Sequence, residues 1–277
     1  MLIDRSETRK APIILGVIHI PPFLPPFVEA VDEELIQKVE DFICSELKIW
    51  VDGGVQGVFL QDAYHYPKGQ RASAETIALM TRFALAAKKT ADIPLGLILE
   101  EHDPEGLLGV ARAVPLDFIR VKVYVGAMVK SDGIITGCAG ELYKKQWELN
   151  LSKTTNIFTD IYDRTGKPLA PLELEEMCRQ AVEFGNADGI ILTGGSFRES
   201  IDMLSKVKDR VRVPLFIGGS STKENLAETL KYADGCVLYS SVVNVDDSAP
   251  RGWGKRLDPQ KLKSYMEKVR KAETLMA

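Results

Sequence analysis

Short β-branched segments alternate with amphipathic stretches along the chain, and this alternation constrains the fold more than any other feature of the sequence. Apolar residues recur at helical spacing in the intervening stretches, as Leu35, Ile36 and Val39 do. Repeated βα units of this kind are typical of a parallel sheet covered by helices. The strand-like segments number about eight: Ile13 to Ile18, Gly57 to Gln61, Leu95 to Leu99, Phe118 to Val123, Ile157 to Tyr162, Gly189 to Thr193, Leu215 to Gly218 and Gly235 to Tyr239.

The number of βα units predicts a closed ring of strands. Eight units in 277 residues predict a single (β/α)8 TIM barrel over residues 1–277. No linker rich in glycine, serine or proline divides the chain, so a doubly wound sheet is the second choice and two domains the third. Asp258-Pro259 predicts the start of the last helix, and Ser221 to Glu224 predicts a capping box at the start of the seventh.

Composition and charge exclude several classes of protein. Hydrophobic residues at 45% and charged residues at 27% are typical of a folded globular chain. A net charge of -4 gives no basic surface for nucleic acid. Apolar runs are shorter than the roughly 20 residues of a spanning helix, and no signal-peptide pattern is visible, so we expect a cytoplasmic protein. The scattered cysteines are expected to be core residues rather than disulfides or zinc ligands.

Polar side chains gather at the carboxyl ends of the predicted strands. Successive side chains point alternately to the barrel interior and to the helix layer, so the apolar Ile119 and Val121 turn Arg120 and Lys122 inward. In the fifth strand the same rule turns Phe158, Asp160 and Tyr162 inward. A group of charges in this interior must form a sealed salt-bridge network or face a ligand pocket. The full inward set is His19, Gln61, Glu100, Arg120, Lys122, Asp160 and Thr193.

These residue types suggest catalytic roles. Arg120 and Lys122 are expected to bind anionic or hydroxyl groups of a substrate, while Asp160 and His19 exchange protons and Glu100 lies nearby. A narrower hypothesis makes Lys122 a Schiff-base nucleophile, as in barrel aldolases. The alternatives for His19 are a metal ligand and a structural histidine that is hydrogen-bonded beneath the following proline-rich loop.

Glycines and hydroxyls near the last three strands predict a phosphate site. Barrels commonly hold phosphate on backbone N–H groups after their seventh and eighth strands. A tight turn without any ligand explains the glycines equally well. The predicted substrate- and phosphate-binding residues are Gly218, Gly219, Ser220, Ser240, Thr193 and Gly194.

A dense polar run after the third strand is the weak candidate for a metal site. It contains His102 and Asp103, which are side chains that bind divalent cations. Asp103 before Pro104 equally predicts a helix N-cap. We therefore expect no required cofactor, with a divalent metal as the alternative.

The residues at these same positions resemble those of the BtpA/SgcQ family. The similar motifs run in order from about Ile13 to Val269 and cover nearly the whole chain. They are Gly16-Val17-Ile18-His19, Pro94-Leu95-Gly96, Phe118-Ile119-Arg120-Val121, Asp132-Gly133-Ile134-Ile135, Ala187-Asp188, Thr193-Gly194, Gly218, Glu224-Asn225, Ala233-Asp234-Gly235 and Asp258-Pro259.

The resemblance implies a TIM barrel of the ribulose-phosphate-binding type. The founding member of the family is associated with biogenesis of a photosynthetic membrane complex, and the genes of other members lie in sugar-metabolism operons. Lys122 and His102 stand where the family usually has Asn, and Tyr239 stands where it has Gly. These departures imply a divergent member whose pocket differs from that of its relatives.

Three functions follow from the sequence. The first is an enzyme, a lyase or aldolase, isomerase or hydrolase, that acts on a small phosphorylated, sugar-like or nucleoside-like substrate. The second is an assembly factor for a membrane complex that docks on a protein or membrane surface through the loop Pro21 to Val31, helped by Trp253 and the basic residues of Asn244 to Leu257. The third is a ligand-binding barrel without catalysis. In each case we expect a homo-oligomer.

Overall fold

The computed structural model describes residues 2–3, 11–65, 69–99, 102–170 and 172–276. The strands in these ranges are β1 Ile13–His19, β2 Gly57–Gln61, β3 Leu95–Ile98, β4 Phe118–Val121, β5 Ala127–Lys130, β6 Gly133–Thr136, β7 Asn156–Ile161, β8 Lys167–Pro168, β9 Gly189–Leu192, β10 Leu215–Gly218, β11 Gly235–Leu238, β12 Val243–Val245 and β13 Lys255–Leu257. The α-helices are α1 Glu33–Gly53, α2 Ala74–Thr90, α3 Pro104–Ala113, α4 Ala139–Glu148, α5 Leu174–Arg179, α6 Phe197–Val207, α7 Leu226–Tyr232 and α8 Pro259–Met276.

Eight of the strands form a closed parallel barrel. Their order around the ring is β1-β11-β10-β9-β7-β4-β3-β2. The ring closes where β1 pairs with β11, beginning at Ile13 opposite Gly235. These are the eight strands that the sequence predicts, so the TIM-barrel prediction is confirmed and the doubly wound alternative is wrong.

Two apolar clusters separate the two faces of the barrel sheet. The inner cluster contains Phe59, Phe118, Phe158 and Phe216, whose neighbouring rings lie 4.7 to 5.4 Å apart between centroids. The outer cluster, which includes Ile119, packs the strands against the helices. Alternation along each strand sends one set of side chains to each cluster, and the barrel interior is a packed core.

Glycines make room for the large inner rings. A Cβ atom at Gly96 on β3 would lie 2.1 Å from the Phe118 ring, and one at Gly189 on β9 would lie 2.9 Å from the Phe158 ring. Neither position tolerates a side chain unless the phenylalanine moves.

The segment before β1 covers the end of the barrel at which the strands begin, called the floor below. Ile3 is buried in the inner cluster, and its backbone N–H donates to Asn156 Oδ1 at 2.8 Å. The Asn156 side-chain amide donates in return to the Ile3 carbonyl at 3.2 Å. Asn156 begins β7, which lies opposite β1 in the ring, so residues 2–3 reach across the barrel axis.

A small antiparallel sheet, which the sequence analysis does not predict, lies beside the barrel mouth. Its order is β6-β5-β8. The tight turn between β5 and β6 ends at Gly133, whose φ of 96° favours glycine. Met128 and Ile135 are buried with Val123 at the end of β4, and this contact holds the sheet on the barrel rim.

Two helix starts test the predicted capping signals. Asp258 caps α8 as predicted, since its carboxylate accepts from the Gln260 N–H at 2.8 Å. The capping box at Ser221 to Glu224 is wrong, because α7 begins at Leu226 and the Ser221 hydroxyl lies 2.6 Å from the Tyr265 hydroxyl on α8. The Ser221 hydroxyl makes this long-range contact with α8 and so does not cap the start of α7.

The two long loops pack against the barrel. Phe23 in the first loop is fully buried and meets the Phe83 ring on α2 at 5.2 Å between centroids. Trp253 in the second loop meets the Phe42 ring on α1 at 5.7 Å, and Arg256 is paired with the buried Glu46 at 2.7 Å. Phe23, Trp253 and Arg256 of the predicted docking surface therefore have partners within the chain, while Val31, Arg251 and Lys255 are exposed.

No helix in the described ranges combines the length and the apolar character that crossing a bilayer requires.

Candidate functional site

A charged pair lies directly above the packed phenylalanine rings. Arg120 on β4 donates to both carboxylate oxygens of Asp160 on β7, at 2.8 and 2.7 Å. The Arg120 guanidinium lies 5.9 Å from the centre of the inward Phe59 ring, so the pair faces the barrel axis. Two parallel charge-assisted hydrogen bonds hold both groups in a fixed orientation.

A second ion pair joins the small sheet to the barrel. The ammonium of Lys130 on β5 lies 2.7 Å from Oδ2 of Asp163, which follows β7. Burial on its own would raise the pKa of Asp163, but the charges of Lys122 and Lys130 and hydrogen bonds from Lys130 and Thr165 outweigh it and hold that pKa at about 2. Asp163 is therefore a carboxylate throughout the physiological range.

These groups border a cavity at the carboxyl ends of β3 and β4. About 510 Å³ of space lies within it, and this figure includes open solvent. Three cationic side chains line it: Arg120 and Lys122 from β4 and its continuation, and Lys130 from β5. Asp132 supplies an acidic group from the turn of the small sheet.

The two weak metal candidates line the same cavity, and both have other contacts. Asp103 caps α3 through the Gly106 N–H at 2.9 Å and pairs with Arg71 at 3.1 Å. His102 Nε2 lies 2.8 Å from the Thr136 carbonyl, and burial lowers the pKa of its imidazole. Among the described residues, no three histidine, cysteine or acidic side chains form a group able to hold a metal ion.

His19 lies at the mouth of the barrel among tyrosines. It ends β1, and its ring centroid is 4.0 Å from that of Tyr239 after β11 and 6.2 Å from that of Tyr64. Burial raises the pKa of both tyrosine hydroxyls, which stay protonated at neutral pH. His19 is three strands from β4 around the ring, and Arg120 and Asp160 lie on the other side of the mouth.

The predicted phosphate-binding residues surround the ends of β9, β10 and β11. Gly219 and Ser220 have left-handed φ values of 74° and 60°, which form a sharp turn after β10. The amides of Gly219 and Gly194 are already used, in hydrogen bonds to the Val237 carbonyl at 3.2 Å and to the Ser200 hydroxyl at 2.9 Å. Ser240 is exposed and begins a single 3₁₀ turn.

Thr193 contributes a buried hydroxyl to this part of the rim. Its Oγ1 atom has no hydrogen-bond partner among the described residues. A Cβ atom at Gly218 would lie 1.8 Å from that oxygen, so the glycine is what gives the hydroxyl its space. An unpaired buried hydroxyl of this kind costs free energy of folding.

The structure divides the predicted site into two parts. The cavity with Arg120 and Lys122 lies over β3 and β4, and the glycine and serine turns lie over β10 and β11, on the opposite side of the ring. Glu100 lies outside the described residues. A ligand must cross the barrel mouth to contact both parts.

One predicted inward residue points elsewhere. Tyr162 has a φ of 59°, and this left-handed backbone ends the alternation one residue after β7. Its ring packs against the outer cluster and its hydroxyl donates to the Leu172 carbonyl. The prediction that Tyr162 faces the interior is wrong because the strand has already ended.

Lys130 and Asp163 were missed by the sequence analysis. Both lie outside the eight βα units, on the small sheet and on the loop after β7. The available signal was the Asp132-Gly133 pair between β-branched residues, which indicates a hairpin.

Comparison with other proteins agrees with this architecture. The model of the BtpA family matches residues 9–271. The photosystem I biogenesis protein BtpA of Synechocystis sp. is 27% identical over 92% of this chain and 86% of its own length. An uncharacterized protein of Methanocaldococcus jannaschii is 31% identical over 83% of this chain and 86% of its own length.

Solved structures share the fold at much lower identity. The N-(5'-phosphoribosyl)anthranilate isomerase of Pyrococcus furiosus has a TM-score of 0.56 and 13% identity, covering 94% of this chain and 99% of its own. The orotidine 5'-phosphate decarboxylase of Pyrococcus horikoshii has a TM-score of 0.52 and 11% identity, covering 93% and 99%. With the family match extending over nearly the whole barrel, the chain belongs to the BtpA family.

Proposed function

We propose that this protein is an enzyme that binds a small phosphorylated or sugar-like metabolite over the carboxyl ends of its barrel strands. The observation that carries the proposal is the meeting of Arg120, Lys122 and Lys130 at one open cavity above a packed barrel interior. Two of these cations are paired with aspartates, Arg120 with Asp160 and Lys130 with Asp163, and Asp132 also lines the cavity. The mixed charges suit a ligand that carries hydroxyls as well as an anionic group. The reaction class stays open among lyase or aldolase, isomerase and hydrolase chemistry.

The phosphate group is assigned to the opposite side of the mouth. There the turn at Gly218, Gly219 and Ser220 ends β10, and Ser240 follows the neighbouring strand β11. Because the amides of Gly219 and Gly194 are used within the chain, the hydroxyls of Ser220 and Ser240 are the main donors of this site, and Thr193 lies behind them against Gly218. The names of two enzymes of similar fold, a phosphoribosylanthranilate isomerase and an orotidine 5'-phosphate decarboxylase, indicate phosphorylated substrates. This supports a phosphorylated ligand for the present protein.

The remaining roles follow from geometry. Lys122 and Lys130 bind the substrate's anionic or hydroxyl groups, and Arg120 fixes the orientation of the Asp160 side chain. His19, on the far side of the mouth, exchanges a proton with the substrate portion that lies near the phosphate. The proposed activity requires no cofactor. Binding is therefore measured both with and without a divalent ion.

The assembly-factor alternative has less structural support. The apolar residues that it needs on the first loop include Phe23, which is fully buried. Arg256 and Trp253 in the second loop contact α1. A relative named for photosystem I biogenesis is compatible with a barrel that binds a metabolite.

Isothermal titration with ribose 5-phosphate, with and without Mg²⁺, tests the proposal. Lys122→Met is expected to weaken binding by about tenfold or more, as removal of a charge-assisted hydrogen bond does. Lys153→Met, at an exposed lysine away from the cavity, is the matched control and should bind as the unaltered chain does. If a panel of sugar phosphates and nucleotides gives no binding to the unaltered protein, the proposal is wrong.

A second arm tests the nucleophile hypothesis. Borohydride is added to the protein with candidate aldehydes and ketones, and the modified peptide is mapped. Modification at Lys122 that is lost in Lys122→Met supports a Schiff base, and an unmodified Lys122 rules it out while the binding proposal stands.

A further inference from the structure

The hairpin of strands β5 and β6 covers the cationic cavity. It supplies Lys130, Asp132 and Ile135 to the lining, while Lys122 reaches the same space from the end of β4. Without the open solvent, the cavity holds about 30 Å³. That is room for a few water molecules and too little for a sugar phosphate. A metabolite can therefore make full contact with these side chains only if the hairpin moves.

Two glycines join this hairpin to the barrel. Gly126 precedes β5 with a φ of 75°, and Gly137 follows β6. The Gly137 N–H donates to the Gly126 carbonyl at 2.7 Å, so the two ends of the hairpin leave the rim side by side. A Cβ atom at Gly137 would lie 2.6 Å from the Tyr124 carbonyl oxygen. Small residues at both ends of a segment allow the backbone rotation that a hinge requires.

Few buried contacts hold the hairpin against the barrel. Among the described residues, Met128 and Ile135 pack with Val123 in a cluster of three that is separate from the two large apolar clusters. Strand β5 pairs with β8 over two residues. The outer edge of β6 accepts hydrogen bonds from Gln70 and His102, and both bonds are exposed. Water replaces exposed hydrogen bonds at little cost, so they add little to closure.

The Lys130–Asp163 pair is the strongest of the contacts that hold the hairpin. It joins β5 to the loop after β7 at 2.7 Å, and both side chains are largely buried. Asp163 is fixed on its own loop, because it also accepts from the Thr165 N–H at 3.1 Å and from the Thr165 hydroxyl at 2.7 Å. Charge-assisted hydrogen bonds are roughly twice as strong as neutral ones. The pair therefore acts as a latch.

We infer that the β5–β6 hairpin is a lid over the cationic cavity, hinged at Gly126 and Gly137 and latched in this structure by Lys130 and Asp163. Opening of the lid requires no ligand, whereas its use to admit a metabolite rests on the proposed function. When the hairpin lifts, Lys130 leaves Asp163 and the cavity opens to solvent. When the hairpin closes again, Lys130 returns to the cavity and can contact a bound anionic group.

Two buried cysteines allow the opening to be measured. Cys138 lines the cavity that the hairpin covers, whereas Cys178 lies on α5 within the outer cluster. Burial raises the pKa of both thiols to about 12, so neither reacts while it stays enclosed. In the folded full chain, we expect N-ethylmaleimide to modify Cys138 at least about tenfold faster than Cys178, because local opening is more frequent than global unfolding. Peptide mapping by mass spectrometry measures both rates.

Variants that release the latch give the decisive comparison. Asp163→Asn is expected to raise the rate at Cys138 by about tenfold or more, since opening no longer breaks a buried charge-assisted hydrogen bond. Lys130→Met removes the same pair from the other side and should have the same effect. Lys88→Met is the matched control, because it removes a partly buried 2.6 Å ion pair just before β4. That pair stays formed when the hairpin opens, so the rate at Cys138 should not change.

The outcomes separate the lid from the proposed function. Equal rates at Cys138 and Cys178, or a rise at Cys138 that is as large in Lys88→Met as in Asp163→Asn, would mean that only global unfolding exposes the thiol, and would overturn the lid. A rate at Cys138 that neither latch variant raises also overturns it. In each of these cases, binding of a sugar phosphate would still support the proposed function. A lid that opens in a chain that binds no compound of the sugar-phosphate and nucleotide panel is established, while the proposed function is refuted.

Discussion

The Lys130 ammonium lies 2.7 Å from the Asp163 carboxylate and fastens the small sheet to the loop after β7. Both side chains are largely buried, with 15% and 6% of their surfaces exposed. The pair therefore holds the wall of the cationic cavity in place. It also makes the stability of the protein depend on pH.

Asp163→Asn is expected to reduce the free energy of unfolding by about 2 kcal/mol near neutral pH. The pKa of Asp163 is lowered to about 2, so its contribution is complete above the ordinary value of 3.8 and is lost as the pH falls through about 2. Urea unfolding of both proteins should show the difference shrinking to roughly half by about pH 3. A difference that does not change with pH would contradict the assignment.

Glu176→Gln is the control for that measurement. A hydrogen bond from Arg179 holds the pKa of Glu176 at about 2 as well, but its side chain is 37% exposed. Solvent screens an exposed pair, so we expect a clearly smaller loss of stability than for Asp163→Asn.

Gly96→Ala is expected to destabilise the barrel by about 1 to 3 kcal/mol, because the new methyl would overlap the Phe118 ring. Gly109→Ala, on the exposed side of α3 with no atom near the new methyl, should stabilise by about 0.5 to 1 kcal/mol. Thermal unfolding of the two variants gives shifts of opposite sign if the inner packing is right. Equal shifts would mean that Phe118 moves without cost.

His65 holds the proline-rich loop by accepting two backbone hydrogen bonds. Its Nε2 atom accepts from the N–H groups of Phe23 and Leu24 at 3.1 and 3.3 Å. His65→Ala should raise hydrogen exchange at these two amides by about tenfold or more, since both lose their acceptor. The amide of Val39 within α1 is the internal reference, and unchanged exchange at Phe23 would show that packing alone holds the loop.

Asn156→Ala is expected to lower the free energy of unfolding by about 2 kcal/mol, because it leaves the buried N–H and C=O of Ile3 unpaired. Asn244→Ala is the matched control. Both polar atoms of the Asn244 amide are hydrogen-bonded too, to Asp258 and Lys261, but the residue is exposed and should cost less. Chemical unfolding gives the free energy of unfolding of the two variants. Equal losses of stability would argue against the contact between Asn156 and Ile3.

The eight barrel strands could be predicted because each buries both faces. Residues such as Phe118 and Ile119 must satisfy the inner and outer clusters in turn, and this requirement leaves a period-two pattern in the sequence. The same rule indicates that Arg120 and Asp160, on neighbouring strands, face the same side. It fails at Tyr162, where the backbone leaves the strand conformation.

The small sheet could not be found in this way. Strands β5 and β6 bury one face each and are four residues long, so Met128 and Ile135 alone mark the buried side. The Lys130–Asp163 pair depends on that sheet and on a long-range contact, and the only local signal is the Asp132-Gly133 pair of the hairpin. The division of the site between two sides of the mouth likewise depends on the ring order of the strands.

The pairing of β1 with β11 bears on how the protein is made. Leu15 and Val17 belong to the inner cluster, and β1 obtains its second neighbour only when the region of Gly235 is available. During synthesis, more than three quarters of the polypeptide must therefore be made before the barrel can close and bury these apolar side chains. Barrel closure through such a non-local contact is slow and leaves apolar surface exposed in the meantime. The yield of folded protein should therefore depend on the supply of chaperones and on the speed of translation.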